Sequence, residues 1–347
     1  MMVDKKYCMS SFLMFRTIAD NTKSFGEGNQ PNLWEDCYDR KNVHDSWELE
    51  KYLEDYVVAL GKEKKVALAL SGGIDSAILA KFMPKGSIAY TFKCVVPGVD
   101  VTDETVVAKQ YAEECGLEHR VIEIYWEDFE KYAPILMKHK GAPIHSIEVQ
   151  IYKAALQAKE DGVQAFIFGE SSDLNYGGLS GLLSKDWTVG EFVDRYSYVK
   201  PYHALKDFEV IIEPYLQYEK DGKINVHEFN RGFFMREAMG SYTNACECAK
   251  IRVEMPYAHT KMAVPLNMDR IRSGQNKYLV REVFHRLYPG FGVPPKTPMP
   301  RPMNEWLKDW EGPHREEFWP HCTDNMTGDQ KWLVWALEKF LDMNEEK

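Results

Sequence analysis

Apolar residues along the chain fall into two kinds of run. Four runs are short and nearly continuous, at 66–70 (VALAL), 88–94 (IAYTFKC), 119–125 (HRVIEIY) and 164–170 (QAFIFGE). Runs of that length without strict alternation fit strands buried on both faces. Between them the apolar spacing changes to three or four residues, and TDETVVAKQYAEECG and SIEVQIYKAALQAKEDG, each finished by a glycine, predict helices. A helix is predicted ahead of the first strand, where Trp47, Leu49, Tyr52, Leu53 and Val57 make a stripe, Asp45 or Ser46 offers an N-cap and Gly61 a stop. Another begins straight after that strand, at SAILAKFM. Strands alternating with helices predict an α/β fold, a parallel sheet with helical crossovers.

The flanks read differently. Residues 1–44 mix the apolar patch CMSSFLMF (8–15) with a polar stretch and predict an N-terminal appendage, a strand or cover piece followed by loop. Residues 45–185 carry the α/β pattern. Over 186–347 the strand signal fades, and aromatic-rich stretches such as EFNRGFFMREAMGSYTNA and KYLVREVFHRLYPG predict a mostly helical C-terminal lobe. The Pro-rich GVPPKTPMPRPM (292–303) is expected to be an ordered loop.

Composition narrows the functional classes. Hydrophobic residues at 44% and charged residues at 28% are ordinary for a globular protein. A net charge of -10 repels phosphodiester backbones, so nucleic acid is set aside as a partner. No apolar run approaches the ~18 residues of a membrane span, so no membrane partner is expected. The seven cysteines are odd in number and no charged-then-apolar leader opens the chain, which favours a reducing cytoplasm. Cys246 and Cys248 with the remote His321 and Cys322 could ligate zinc, but a C-x-C pair lacks the usual two-residue spacing, and reduced cysteines are the expectation.

The junction between the first strand and its helix is the chemically informative segment. SGGIDSA places Gly72 and Gly73 where the backbone must close on a ligand, with helix-start N–H groups aimed at an anion and hydroxyls from Ser71 and Ser76 beside them. It is neither a lysine-bearing Walker loop nor a G-x-G-x-x-G dinucleotide loop. Asp75 among phosphate-binding amides would repel the ligand unless a divalent cation lies between them, so Mg²⁺ is expected. The alternative is a plain strand-to-helix turn with Asp75 as N-cap.

SGGIDSA resembles the pyrophosphate loop of the PP-loop ATP pyrophosphatases, which have an adenine nucleotide α-hydrolase-like fold, cleave ATP between its α and β phosphates, and leave AMP on the substrate. GESSDLNYGG (169–178) resembles the GEGADELFGG of asparagine synthetases. KIRVEMPYAHTKMA (250–263) resembles their SLEVRVPFLD region more loosely, and GQNKYLVREVFHRLYPGFGVPPK (274–296) their GKYLLREAL…RPK stretch. Order and spacing agree over about residues 45 to 310, so the resemblance is to the synthetase domain of asparagine synthetases, β-lactam synthetases and lasso-peptide cyclases. It implies an ATP-dependent, AMP- and pyrophosphate-forming ligase that adenylates a small-molecule carboxylate for attack by ammonia or an amine. By resemblance, Asp75 and Asp173 hold Mg²⁺, and Glu170 orients or deprotonates the nucleophile. Lys277 and Lys296 attend the pyrophosphate and acyl-adenylate, and Leu70, Cys94 and Gly169 surround the adenine. Glu170 as a turn cap and Lys277 as a surface helix residue are the bland alternatives.

Two departures stand out. The glutaminase domain of glutamine-dependent members, with its N-terminal cysteine, is not expected within the roughly 60 residues before the loop, so nitrogen would come from ammonia, a separate glutaminase or a substrate amine. Where the family reads EVRVPFLD, this chain reads RVEMPYAH (252–259), with glutamate and arginine exchanged and His259 in place of an aspartate. The exchange either preserves an internal ion pair in reverse or remodels the acceptor pocket. An NAD synthetase-like ligase, a tRNA- or nucleotide-modifying PP-loop enzyme and a non-catalytic nucleotide-binding protein are the competing functions.

Overall fold

In the computed structural model, which describes residues 2–295 and 297–345, the four apolar runs become adjacent strands, all parallel. Val66–Ala69 lies at the centre, with Ile88–Cys94 and then Glu118–Ile124 on one side and Ala165–Ile167 on the other. The helices Ile74–Phe82, Thr105–Cys115 and Ile147–Glu160 serve as crossovers. The chain thus fills one side of the central strand before returning to the other. That reversal opens a crevice beyond the carboxyl ends of the strands, where α/β folds bind ligands.

Strand pleating divides the interior in two. Ala67, Ile88, Tyr90, Phe166 and Phe168 point into one apolar core, and Val66, Leu68, Ala89, Ala165 and Ile167 into the other. The first core packs against helices Lys5–Phe15, Trp126–Lys140, Met235–Cys248 and Gly328–Glu345, and the second against Ser46–Glu63, Ile74–Phe82 and Tyr278–Leu287. Covering both faces is what a sheet of continuous apolar strands requires.

Four details differ from the sequence reading. The stretch at 8–15 is not a strand: Lys5–Phe15 is a helix buried along its whole C-terminal part, capped by the Asp4 carboxylate on the Tyr7 N–H. A fifth strand, Arg252–Glu254, pairs parallel with Ala165–Ile167 from within the region expected to be helical. It is three residues long, too short for any period to register. The aromatic stretch over 226–248 is helical but passes through a π-helical turn at Asn230–Phe234. Finally, Gly61 does not stop its helix, which runs Ser46–Glu63 with Asp45 as the cap.

Charges also enter the first core. Arg16, itself left-handed at φ 61°, donates to Glu237 at 2.9 Å and lies 3.0 Å from His145 Nε2, while the His145 ring stands 3.1 Å from the same carboxylate. Lys140 donates to the fully buried Glu148, which also accepts from Asn244. Each buried charge has an opposite partner, the condition for tolerating it.

The glycine at 61 is explained by contact: an added Cβ would stand 2.6 Å from Pro84 Cγ. Helix propensity favours alanine there by ~1 kcal/mol, yet overpacking costs ~1–3 kcal/mol. Gly61→Ala is therefore expected to destabilise the protein in urea unfolding; a gain in stability would show that the two elements separate at no cost.

Candidate active site

Each part of SGGIDSA has a local reason. The strand ends at Ala69, Leu70 still donates its N–H to the Tyr90 carbonyl, and the chain turns at Ser71. Ser76 Oγ accepts from the Ser71 N–H at 3.0 Å and Ser71 Oγ accepts from the Gly73 N–H at 3.1 Å, so the two hydroxyls staple the loop. Gly73, extended at φ -87° and ψ 157°, occupies the N-cap position of helix Ile74–Phe82 without a side-chain cap. Asp75 is not a cap. Its carboxylate accepts from Ser172 Oγ at 2.7 Å and from Lys277 Nζ at 2.5 Å.

Lys277 ties the motifs together. Its ammonium lies 2.5 Å from Asp75 Oδ2 and 2.9 Å from Asp173 Oδ1, and the residue is only 5% exposed, so it is no surface lysine. Burial alone would lower its pKa, but the carboxylates of Asp173 and Asp75 outweigh this and hold it above the ordinary lysine value. Its backbone is left-handed, at φ 54°, which for a side-chain-bearing residue is sparsely populated and costs ~1–3 kcal/mol. Close approach elsewhere keeps the aspartates in place. A Cβ on Gly169 would come within 3.0 Å of Asp75 Cβ, and one on Gly178 within 1.8 Å of Asp173 Oδ1. GESSDLNYGG thus needs its first and last glycines for space, while Gly177 is left-handed at φ 76°.

A cleft of about 200 Å³ opens at the strand ends. Leu70, Ser71, Asp75, Ser76, Gly169, Glu170 and Asp173, all singled out from sequence, line it. Gly72, Gly73 and Lys277 are not part of that lining, and Lys277 reaches it through its pairs with the two aspartates. Cys94 is buried outside it, with its thiol donating to the Pro300 carbonyl at 3.1 Å, and burial pushes that thiol up to about 12. The same carbonyl accepts from Gln150 Nε2 at 3.0 Å, and Arg301 makes a forked pair with Asp329, so the Pro-rich loop is anchored where Thr297 to Pro300 wall the cleft. Lys296 lies outside the described residues.

Glu170 is half-buried with two partners. It accepts from the Ser171 N–H at 2.8 Å, as a turn cap would, and from the Tyr242 hydroxyl. Burial pushes its carboxyl above the usual range and Asp173 adds to this, against those hydrogen bonds. Tyr242, edge-on to Phe168 at 5.0 Å, comes from helix Met235–Cys248. Tyr242 and a second missed residue, Glu104, line the cleft. Both sit in segments whose only sequence signal was helical.

The exchanged pair is settled by position. Arg252 and Glu254 pair with each other on the outer strand, Tyr56 donates to Glu254 at 2.5 Å, and the His259 ring lies 4.2 Å from that of Tyr38. None of the three lines the cleft. The two thus pair with each other, Arg252 exposed and Glu254 buried, outside that cleft, while neighbouring Tyr257 reaches the Asp75 carbonyl at 3.2 Å.

Two carboxylates on facing walls suit Mg²⁺, which takes one or two carboxylates together with phosphate oxygens. Among the described residues no three His, Cys, Asp or Glu side chains gather to hold a metal unaided. The donor set therefore fits an ion that arrives with a phosphate ligand.

The sequence model of the asparagine synthase family matches residues 48–318. The chain belongs to the asparagine synthase family. That match covers the whole sheet and both acidic motifs, and makes the protein a nucleotide-using, carbon–nitrogen bond-forming ligase. Comparison with curated proteins finds no match. Among solved structures, an NH3-dependent NAD synthetase from Campylobacter jejuni is similar at 17% identity over 39% of this chain and 61% of its own, with a TM-score of 0.26. An NMN synthetase from Francisella tularensis is similar at 11% identity over 74% of this chain and 100% of its own, TM-score 0.29. A U34-tRNA thiolase from Methanococcus maripaludis is similar at 16% identity over 72% and 82%, TM-score 0.24. At these scores no functional conclusion follows from them. No helix among the described residues is long and apolar enough to cross a membrane.

Lys277→Met would leave two carboxylates facing each other without their cation. Because both are about a quarter exposed, the expected loss is discounted to ~1–3 kcal/mol from the value for a fully buried pair. Adding Asp173→Asn should recover part of it. Urea unfolding of the single and double variants checks this, and strictly additive losses would mean that the ammonium and Asp173 are not coupled.

Proposed function

We propose that this family member adenylates a carboxylate with ATP, releases pyrophosphate, and passes the acyl group to ammonia or an amine. The observation that carries the reading is the meeting, in one cleft, of a stapled glycine loop, two carboxylates bridged by a buried ammonium, and a carboxyl–tyrosine pair. The β and γ phosphates would lie against the loop amides and the N-terminus of helix Ile74–Phe82. Mg²⁺ held by Asp75 and Asp173 would neutralise phosphate charge as the α–β bond breaks. Lys277 would hold the two aspartates at a fixed separation and add positive charge beneath the leaving group. Leu70 and Gly169 would offer backbone to the adenine, with Cys94 just behind. Lys296 is retained as the cation for the acyl-adenylate.

Glu170 stands where the second half-reaction needs a base. Burial raises its pKa and so makes it a stronger proton acceptor than an ordinary carboxylate, and Tyr242 donates a hydrogen bond to it. Nitrogen arrives as ammonia, from a separate glutaminase or on a substrate amine. Cys8, 0% exposed and with its thiol pushed up to about 12 by burial, is unsuited to be a glutaminase nucleophile.

ATP–pyrophosphate exchange screened over a panel of carboxylates tests the first half-reaction, since exchange requires the right acceptor. With that acceptor, Asp75→Asn and Asp173→Asn should each slow exchange at least ~10-fold, ~1.4 kcal/mol of barrier. Wild-type turnover with an unchanged cation requirement would remove the metal assignment.

Glu170→Gln keeps shape and loses the base. It should lower amide formation by ~10²- to 10⁴-fold while leaving ATP affinity measurable, which rapid-quench analysis separates from AMP formation. If it abolishes ATP binding as fully as Asp75→Asn, Glu170 belongs to the nucleotide site.

A further inference from the structure

Gly72 is the one cradle glycine faced by a carboxylate from another element. Glu104 enters from the loop that follows strand Ile88–Cys94 and precedes helix Thr105–Cys115. The Gly72 N–H favours the ionised form of its carboxyl, which lines the cleft. A Cβ on Gly72 would sit 3.4 Å from Glu104 Oε1, 3.5 Å from Glu104 Cβ and 3.6 Å from Val107 Cβ, so the Glu104 side chain walls that glycine. The loop holding Glu104 is itself fixed: Asp103 pairs with Lys93 at 2.8 Å and accepts from the Thr105 N–H at 2.8 Å. Two neighbouring donors are engaged within the loop, where the Ser71 and Gly73 N–H groups bond to the Ser76 and Ser71 hydroxyls.

We propose that Glu104 is a positioning residue of the pyrophosphate cradle, whose carboxylate competes with a phosphate oxygen for the Gly72 N–H and so promotes departure of pyrophosphate. This rests on the ligase reading above and goes beyond it, because it assigns Glu104 to product release. Two anions cannot share one N–H donor, and their mutual repulsion in a half-buried site opposes simultaneous occupancy. Charge-assisted bonds to a loop and helix N-terminus hold polyanions tightly, so a competing carboxylate that re-forms its own bond offsets part of what release costs. Burial pushes the Glu104 carboxyl up to about 7, which makes the contact weaker than that of a fully ionised acid and lets incoming ATP displace it.

The test is titration calorimetry of inorganic pyrophosphate with Mg²⁺, and separately of ATP and AMP, on the full chain and its Glu104→Gln and Glu104→Ala variants. Both variants should bind pyrophosphate about tenfold tighter, the size of a hydrogen bond to a charged group, with AMP affinity and ligand-free melting temperature unchanged. A merely structural glutamate would give the opposite sign, and the shape-conserving Glu104→Gln keeps the comparison valid if Glu104→Ala folds poorly. Unchanged or weaker pyrophosphate binding in the variants, beside a wild type that binds it, overturns this inference alone; weaker binding would assign the carboxylate to the cation instead. Failure of all three proteins to bind ATP or pyrophosphate overturns the ligase reading and this inference together.

Discussion

The ammonium of Lys277 between Asp75 and Asp173 is the contact on which the site depends. It joins three segments: the loop after the central strand, the acidic segment after its neighbour, and the start of helix Tyr278–Leu287. Two carboxylates brought this close repel each other, and a cation between them converts that repulsion into attraction. The left-handed Lys277 backbone and the tight approaches at Gly169 and Gly178 are local costs that this attraction offsets. A fixed distance between the carboxylates is also what a small cation with strict octahedral demands requires.

The surrounding fold serves that distance. Two apolar cores clamp a five-stranded sheet from both faces, and the helices that carry Asp75 and Tyr242 belong to different cores. The cleft forms where the two faces meet beyond the strand ends, so its walls inherit rigidity from both. Its described lining contains four carboxylates, from Asp75, Glu104, Glu170 and Asp173. The roles proposed above divide them three ways: cation holding at the paired aspartates, proton exchange at the tyrosine-bound Glu170, and competition for a loop amide at Glu104. Environment, not residue type, separates them, because a buried ammonium pairs with the first two while burial raises the pKa of the other two carboxyls.

Sequence by itself determined what is local and contiguous. Four continuous apolar runs in alternation with amphipathic helical stretches fit buried strands, so the parallel sheet was legible, whereas the isolated apolar patch at 8–15 read as a strand and is a helix. SGGIDSA was legible because its glycine, hydroxyl and carboxylate positions point to a phosphate-and-cation chemistry, and GESSDLNYGG through its resemblance to the acidic motif of asparagine synthetases. Tertiary structure alone decided which distant residues join them. Glu104 and Tyr242 read only as helix residues, since nothing local marks a side chain that faces a loop of another segment. Gly61 looked like a helix stop because a glycine required by contact with Pro84 and one required by a turn are the same letter. The strand Arg252–Glu254 carried no pattern in three residues and exists because Ala165–Ile167 offers it an edge. The Arg252–Glu254 exchange was ambiguous for the same reason: whether an ion pair is internal or faces a substrate depends on the side of the sheet edge where it lies, and only packing sets that.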